Sequence, residues 1–215
     1  MSPGPPGHAA PGDIVFAGAV LAGGASRRMG RDKAFVAAPD GRPLVQVAVD
    51  GLRRAGASAV VVVGGDQAAV EQLGLTWVAD EHPGDGPLGG IVTALHRTTQ
   101  DLVVVVACDM PGFAPEVPEA LVSAAAASPD AGVSVAVIGE RDQPLTACWR
   151  RRSALPVLEG AFADGVRAPR HLLDELAAVR VLDLEPRLLA DVDSPEDLRR
   201  YADRHPSPPT RTGSP

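Results

Sequence analysis

The residues best equipped for chemistry stand together near the start of the chain, in Leu21-Ala-Gly-Gly-Ala-Ser-Arg-Arg-Met-Gly-Arg-Asp-Lys33. The adjacent Gly23 and Gly24 let backbone N–H groups approach an anion closely. Arg27, Arg28, Arg31 and Lys33 can neutralise its charge. A polyphosphate is the natural guest. A plain solvated turn with basic decoration fits less well, because a turn needs neither a glycine pair nor a cationic run directly after a buried strand. Two familiar phosphate loops are excluded by spacing. The Gly-x4-Gly-Lys-Ser/Thr pattern is absent. So is the Gly-x-Gly-x-x-Gly fingerprint, whose acidic partner after the second strand is matched only loosely by Asp66. Lys33 ends the basic run and can reach back to a phosphate.

Asp109 is the second anchor. It follows the apolar and small residues Val103 to Ala107, and a charge at such a strand end is costly unless it is paired or binds a metal. Mg2+ suits this setting, because it takes one or two carboxylates and leaves the remaining positions to substrate phosphates. A turn-forming aspartate before Pro111 is the alternative; the shared edge with the glycine loop favours the metal. Asp80, after a short third strand, offers an acceptor for a sugar hydroxyl or a base edge. The loop from Gly84 to Gly90, with Gly86, Pro87 and Leu88, offers backbone on which a flat base can pack. In Asp191-Val-Asp193, Asp193 fits equally well as a second carboxylate near the metal and as part of the turn before the final helix. His82, His96 and His171 share no ligand spacing. Cys148 reads as core, because no activating base stands near it in the sequence.

These residues must be positioned by strands and helices. Val15 to Leu21, Ala59 to Val63, Leu75 to Val78 and Leu102 to Ala107 read as strands. Helices are expected at Leu44–Leu52, where Pro43 suits a first turn, at Gln67–Leu73, at Ile91–Arg97 and at Pro115–Ala127. Beyond them come strands at Val133–Ile138 and Leu145–Arg150 and helices at about Ser153–Glu159 and Pro169–Ala178. A last strand follows at Val179–Leu184, then a final helix capped by Ser194. Regular alternation through the first 130 or so residues predicts a single three-layer, Rossmann-like α/β domain with a mostly parallel sheet. The less regular second half predicts a mixed sheet with an antiparallel strand. The domain is expected over residues 13–204. The Pro/Gly-rich residues 1–12 and the Pro/Ser-rich residues 205–215 read as disordered tails. Ligands of open α/β sheets sit outside the carboxyl ends of the strands, where every candidate above falls.

Composition narrows the classes further. A chain of 215 residues with 45% hydrophobic residues can bury one full core. Aromatic residues are only 3%, so no stacking platform for single-stranded nucleic acid is expected. The net charge of −7 disfavours nucleic acid and anionic membranes as partners, so any phosphate must meet a local cationic patch. Two cysteines make no disulfide framework and suggest a reducing, cytoplasmic setting. No apolar run reaches the length of a membrane span, and the N-terminal stretch lacks the features of a signal peptide.

The pattern Leu21-Ala-Gly-Gly-x-Ser-x-Arg-Met-Gly-x-Asp-Lys33 resembles the signature of nucleotidyltransferases of the molybdenum cofactor guanylyltransferase group. Gly86-Pro-Leu-Gly-Gly90 resembles that family's Gly-Pro-Leu-x-Gly loop, and Val106-Ala-Cys-Asp-Met-Pro111 its metal-binding strand end. Gln143-Pro-Leu145 and Asp191-Val-Asp-Ser-Pro-Glu-Asp-Leu198 are similar to its late motifs. The resemblance spans about residues 14 to 200. It implies a Mg2+-dependent nucleotidyltransferase domain in which Leu21, Ala22, Gly23, Gly24 and Lys33 hold GTP. It further implies that Asp80, Gly86, Pro87 and Leu88 fix the nucleoside and that Asp109 binds Mg2+ and the nucleotide, with Asp193 a candidate second carboxylate. Lys33, Asp109 and Arg28 make up the expected catalytic set. The implied reaction is attack by the terminal phosphate of molybdopterin–molybdenum cofactor on GTP, with release of pyrophosphate and with transient contact to molybdoenzyme maturation proteins. One departure bears on the substrates: guanylyltransferases of this group often carry Asn-x-Asn where this chain has Asp191 and Asp193, and often an Asn near Gly65-Asp66. Transfer of CMP, transfer to another phosphorylated acceptor, and a non-enzymatic nucleotide-binding regulatory module therefore stay open at this point.

Overall fold

The computed structural model describes residues 14–23 and 33–205. Gly24 and Arg28 of the expected site, with Arg27, Gly30 and Arg31, lie outside the described residues. The rest forms one seven-stranded sheet in the order β3-β2-β1-β4-β6-β5-β7. Its strands are β1 Phe16–Leu21, β2 Ala59–Val63, β3 Trp77–Val78, β4 Leu102–Ala107, β5 Val133–Ile138, β6 Arg141–Arg150 and β7 Val179–Val181. β1 to β4 are mutually parallel, and β7 is parallel to β5. β6 alone runs against its neighbours β4 and β5, the antiparallel strand that the irregular second half predicts.

The valine-rich strands are buried on both faces, and successive residues feed two separate cores. Val20, Val62, Val104 and Val106 face helices α1 Leu44–Arg54 and α4 Glu116–Ala127. Ala19, Val61, Val103 and Val105 face α3 Pro87–His96 and α5 Arg151–Ala163. Short α2 Gln67–Gln72 and terminal α6 Pro195–Arg204 complete the set. α1 can seat closely because β1 carries Gly18 opposite Leu52, where a Cβ would stand 2.9 Å from the leucine Cδ1. Arg150 is buried, and its guanidinium donates to the carbonyls of Ala125 at 2.7 Å and Ala131 at 3.2 Å, holding the end of α4 to the sheet. No helix among the described residues is long and apolar enough to cross a membrane.

Several boundaries differ from the sequence reading, each for a local reason. α3 begins at Pro87 rather than Ile91, so Gly89 and Gly90 are helical rather than loop. Gly86 turns the chain at φ +86°, and Pro87 then sits at the first helical position, where its missing N–H costs nothing. Gly89 is needed for packing, not flexibility: a Cβ there would stand 2.6 Å from Cβ of His82. β6 starts at Arg141, upstream of Pro144, because the register shift between Val135 and Ala136 accommodates a residue without an N–H. α5 follows β6 without a loop. Residues 169–178 form a 3-10 turn at Pro169–Leu172 and further turns, with Ala177 at φ +48°, instead of a continuous helix.

Candidate active site

The parallel register brings the carboxyl ends of β1, β2 and β4 level, with Leu21 paired to both Val63 and Ala107. Ala22-Gly23, Gly64 and Cys108-Asp109 therefore emerge side by side on one edge. The Ala22 N–H donates to the Val63 carbonyl at 3.0 Å, which keeps the chain flat as it leaves β1. Gly64 (φ +72°) lets β2 turn close against this segment, since a Cβ there would lie 3.4 Å from Gly23 Cα. A cavity of about 800 Å³ opens above this edge. Leu21, Ala22, Gly23, Lys33, Asp80, Gly86, Pro87 and Asp109 all line it, so most of the expected site converges on one space. Pro83, Gly84, Cys108 and Leu145 also line it and were not singled out individually from the sequence. Leu88 does not. Its side chain is fully buried between α3 and the sheet, and its N–H donates to the Arg167 carbonyl at 3.1 Å, holding the loop rather than facing the cavity.

Lys33 opens a 3-10 turn and is only 6% exposed. Its Nζ donates to Asp109 Oδ2 at 3.0 Å and to Asp193 Oδ1 at 2.7 Å. Burial alone would draw the ammonium pKa down. The hydrogen bonds and negative charges of Asp193 and Asp109 outweigh that, and Lys33 is held above the ordinary lysine value. The Val192 N–H donates to the Asp109 carbonyl at 3.0 Å, which fastens the 191–193 segment to the end of β4. Ser194 caps α6 by accepting the Asp197 N–H at 3.1 Å, and its hydroxyl donates to Asp197 Oδ2 at 2.7 Å. Asp193 lies in the turn before α6, and its carboxylate pairs with Lys33, a contact that the sequence reading did not include. Asp191 is exposed.

Asp80 stands on the opposite side of Gly23. Its Oδ1 accepts the His82 N–H at 3.0 Å and faces the Thr93 hydroxyl at 3.2 Å. Asp66 caps α2 by accepting the Ala69 N–H at 2.9 Å, a structural duty that accounts for it without a ribose. Cys148 is fully buried and desolvation pushes its thiol up to about 12, so it is core, as its sequence surroundings predict. His96 has a role its sequence position does not reveal. Its ring nitrogens meet Glu81 at 2.7 Å and Glu159 at 2.8 Å, from elements far apart in the chain.

Among the described residues no group of three or more His, Cys, Asp or Glu could enclose a metal ion. The donors suit instead a hard cation shared with a ligand: Asp109 lines the cavity together with Asp80, and Oδ2 of Asp109 is held by Lys33. Among the described residues the arrangement offers a buried ammonium, backbone edges, carboxylates and the Cys108 thiol. It is equipped to neutralise and orient a charged substrate.

Comparison with known proteins agrees with this chemistry. Residues 18–180 match the MobA-like NTP transferase domain. A protein of Chloroflexus aggregans named probable molybdenum cofactor guanylyltransferase is 33% identical over 202 residues, covering 88% of this chain and 94% of that one. The molybdenum cofactor guanylyltransferase of Shewanella sp. strain MR-4 is 29% identical over 189 residues, covering 85% and 93%. The crystal structure of molybdopterin-guanine dinucleotide biosynthesis protein A from Archaeoglobus fulgidus superposes with a TM-score of 0.71 at 28% identity, covering 87% of this chain and 97% of that one. A Thermus thermophilus 2-C-methyl-D-erythritol 4-phosphate cytidylyltransferase, 16% identical, shares the fold with a TM-score of 0.64, covering 86% and 96%. With a matched segment that runs from within β1 through β6 and takes in the glycine, Asp80 and Asp109 positions, the chain belongs to the MobA-like NTP transferase family.

Proposed function

We propose that this chain transfers GMP from GTP to the terminal phosphate of the molybdopterin–molybdenum cofactor and releases pyrophosphate. The observation that carries the reading is the buried Lys33 ammonium between Asp109 and Asp193, in the wall of a cavity floored by Gly23. The names of the Shewanella, Chloroflexus and Archaeoglobus relatives support guanylyl transfer and the molybdopterin acceptor.

In this reading an oxygen of the acceptor phosphate forms a bond to the α-phosphorus of GTP. The bond from the α-phosphorus to the bridging oxygen breaks, and its electron pair leaves with pyrophosphate. Such a transfer asks for positioning and charge neutralisation rather than covalent catalysis. The backbone of Leu21 to Gly24 cradles the triphosphate, and Lys33 turns its charge to it, with Arg28 completing the cationic set. Asp80, Gly86 and Pro87 hold the nucleoside. Asp109 would hold Mg2+, and Asp193, paired with Lys33, is the candidate second carboxylate. When bound, Mg2+ neutralises the charge that builds up on the leaving pyrophosphate. The reaction belongs in the cytoplasm, a setting that buried cysteines without a disulfide suit, with transient hand-over to molybdoenzyme maturation proteins.

A thermal-shift panel of GTP, CTP and ATP with Mg2+ tests the base, followed by pyrophosphate release with the cofactor as acceptor. Stabilisation grows with ligand concentration over Kd, so GTP is expected to give the largest shift. Product formation is expected to stop when Mg2+ is chelated. A shift with CTP only would reassign the chain to cytidylyl transfer, the reading that Asp191 and Asp193 leave open. No shift with any nucleotide would favour a regulatory module instead.

A further inference from the structure

The connection from β3 to α3 carries Asp80 to the cavity wall, and one buried hydroxyl underlies its shape. Thr93 in α3 is fully buried. Its Oγ accepts the Glu81 N–H at 3.1 Å and faces both Asp80 Oδ1 at 3.2 Å and the Gly89 carbonyl at 3.0 Å. A hydroxyl has a single proton, and a carboxylate is a stronger acceptor than a carbonyl. Thr98, by contrast, bonds only the carbonyl four residues back, Ala94 at 2.9 Å, the ordinary habit of a threonine near a helix. Thr93 meets its own carbonyl four residues back, Gly89, and in addition bridges two residues of the loop.

The consequence falls on Asp80. Both of its donors, Thr93 and the His82 N–H, meet Oδ1. Oδ2 accepts no hydrogen bond among the described residues and lies beside Gly23, 3.7 Å from where a Cβ would stand. A carboxylate gripped on one oxygen presents the other in a defined direction. The loop cannot simply swing away, because Glu81 is also held by His96 at 2.7 Å and Arg97 at 3.0 Å.

We propose that Thr93 is a positioning residue for the nucleoside: it grips Oδ1 of Asp80 so that Oδ2 faces the cavity as an acceptor for an N–H or O–H of the bound nucleotide. This rests on the reading of Asp80 as a nucleoside contact. The test uses the full chain with GTP and Mg2+ as the probe and compares Thr93→Val, Thr93→Ser, Asp80→Ala and the double variant Asp80→Ala/Thr93→Val by calorimetry and steady-state kinetics. Thr93→Val is expected to weaken GTP binding roughly 10-fold, within the coupling range for contacting residues, through KM more than kcat. Thr93→Ser is expected to stay within about twofold of the unaltered chain, since it keeps the hydroxyl. In the Asp80→Ala background the valine should weaken binding no further. Thr93→Ala replaces the valine variant if that one fails to fold. GTP binding unchanged by loss of the hydroxyl, or an equal loss in both backgrounds, would overturn the proposal and leave Thr93 a packing residue. If Asp80→Ala itself leaves GTP binding unchanged, the nucleoside role of Asp80 fails and the proposal fails with it. Weakening by Asp80→Ala with Thr93→Val silent would remove the Thr93 proposal alone.

Discussion

Lys33 and Asp193 are 160 positions apart in the chain, and their side chains meet at 2.7 Å. The same ammonium holds Asp109 at 3.0 Å, so one buried cation links the end of β4 to the turn before α6. The two partners differ in setting. The Asp193 side chain is 80% exposed and that of Asp109 25%, so water screens the former pair more. Lys33→Met is expected to reduce turnover on the order of 10²-fold or more, as for loss of a preorganised charge. Asp109→Asn is expected to reduce it comparably, while Asp193→Asn has the smaller effect of the three. Steady-state rates of pyrophosphate release check the order. Wild-type turnover in Asp109→Asn would remove that carboxylate from the site.

The clamp at His96 sets a pH dependence. The Glu81 hydrogen bond, against partial desolvation and with help from Glu159, holds His96 above the ordinary histidine value of 6.5. The His96 hydrogen bond, against a smaller desolvation and with the charges of Arg97 and His82, holds Glu81 below the ordinary 4.5. A raised histidine contributes stability that is fully present below 6.5 and lost as pH rises through its folded value. A lowered glutamate contributes stability present above 4.5 and lost as pH falls through its folded value. The clamp is therefore strongest between these limits. The difference in urea midpoint between the unaltered chain and His96→Gln is expected to be largest near about pH 5.5 and to shrink by about pH 8. A difference independent of pH would show that the imidazolium is not what holds α3 to α5.

Gly112 tests how the two carboxylate-bearing segments are held together. It lies three residues after Asp109, and a Cβ on it would overlap the Arg187 carbonyl and the Tyr201 hydroxyl of α6. That hydroxyl donates to the same carbonyl at 3.3 Å, so the space is fully used. Gly112→Ala is expected to destabilise by about 1–3 kcal/mol and to weaken GTP binding by shifting Asp193 away from Lys33. Gly160→Ala in α5 is the control. Nothing lies within 4 Å of that position, so alanine there is expected to leave stability unchanged or raise it by up to about 1 kcal/mol. Urea denaturation of both variants, with GTP binding for the first, decides the matter.

Much of the fold was legible because local rules sufficed. Valine runs at Ala59–Val63 and Leu102–Ala107 declare strands buried on both faces, and Ser194 before Pro195 declares a helix start. What was misread depended on partners elsewhere. Gly89 resembles a loop glycine until His82 is packed against it. The strand expected from Leu145 starts earlier, at Arg141, because β6 takes up Pro144 in the register shift against β5. The carboxylates and glycines of the site were legible by type and by place at strand ends, and the parallel register brings them to one edge.

The sequence by itself determined the glycine-rich, cationic composition of the first loop, the acidic strand end at Asp109 and the α/β class, because each follows from residue type and short-range spacing. Tertiary structure alone decided that Lys33 is shared between Asp109 and Asp193, that Leu88 is core rather than lining, and that Thr93 grips Asp80. Those facts depend on which distant segments the sheet order and helix packing bring within hydrogen-bond distance. Spacing along the chain carries no record of contacts closed across 76 or 160 residues.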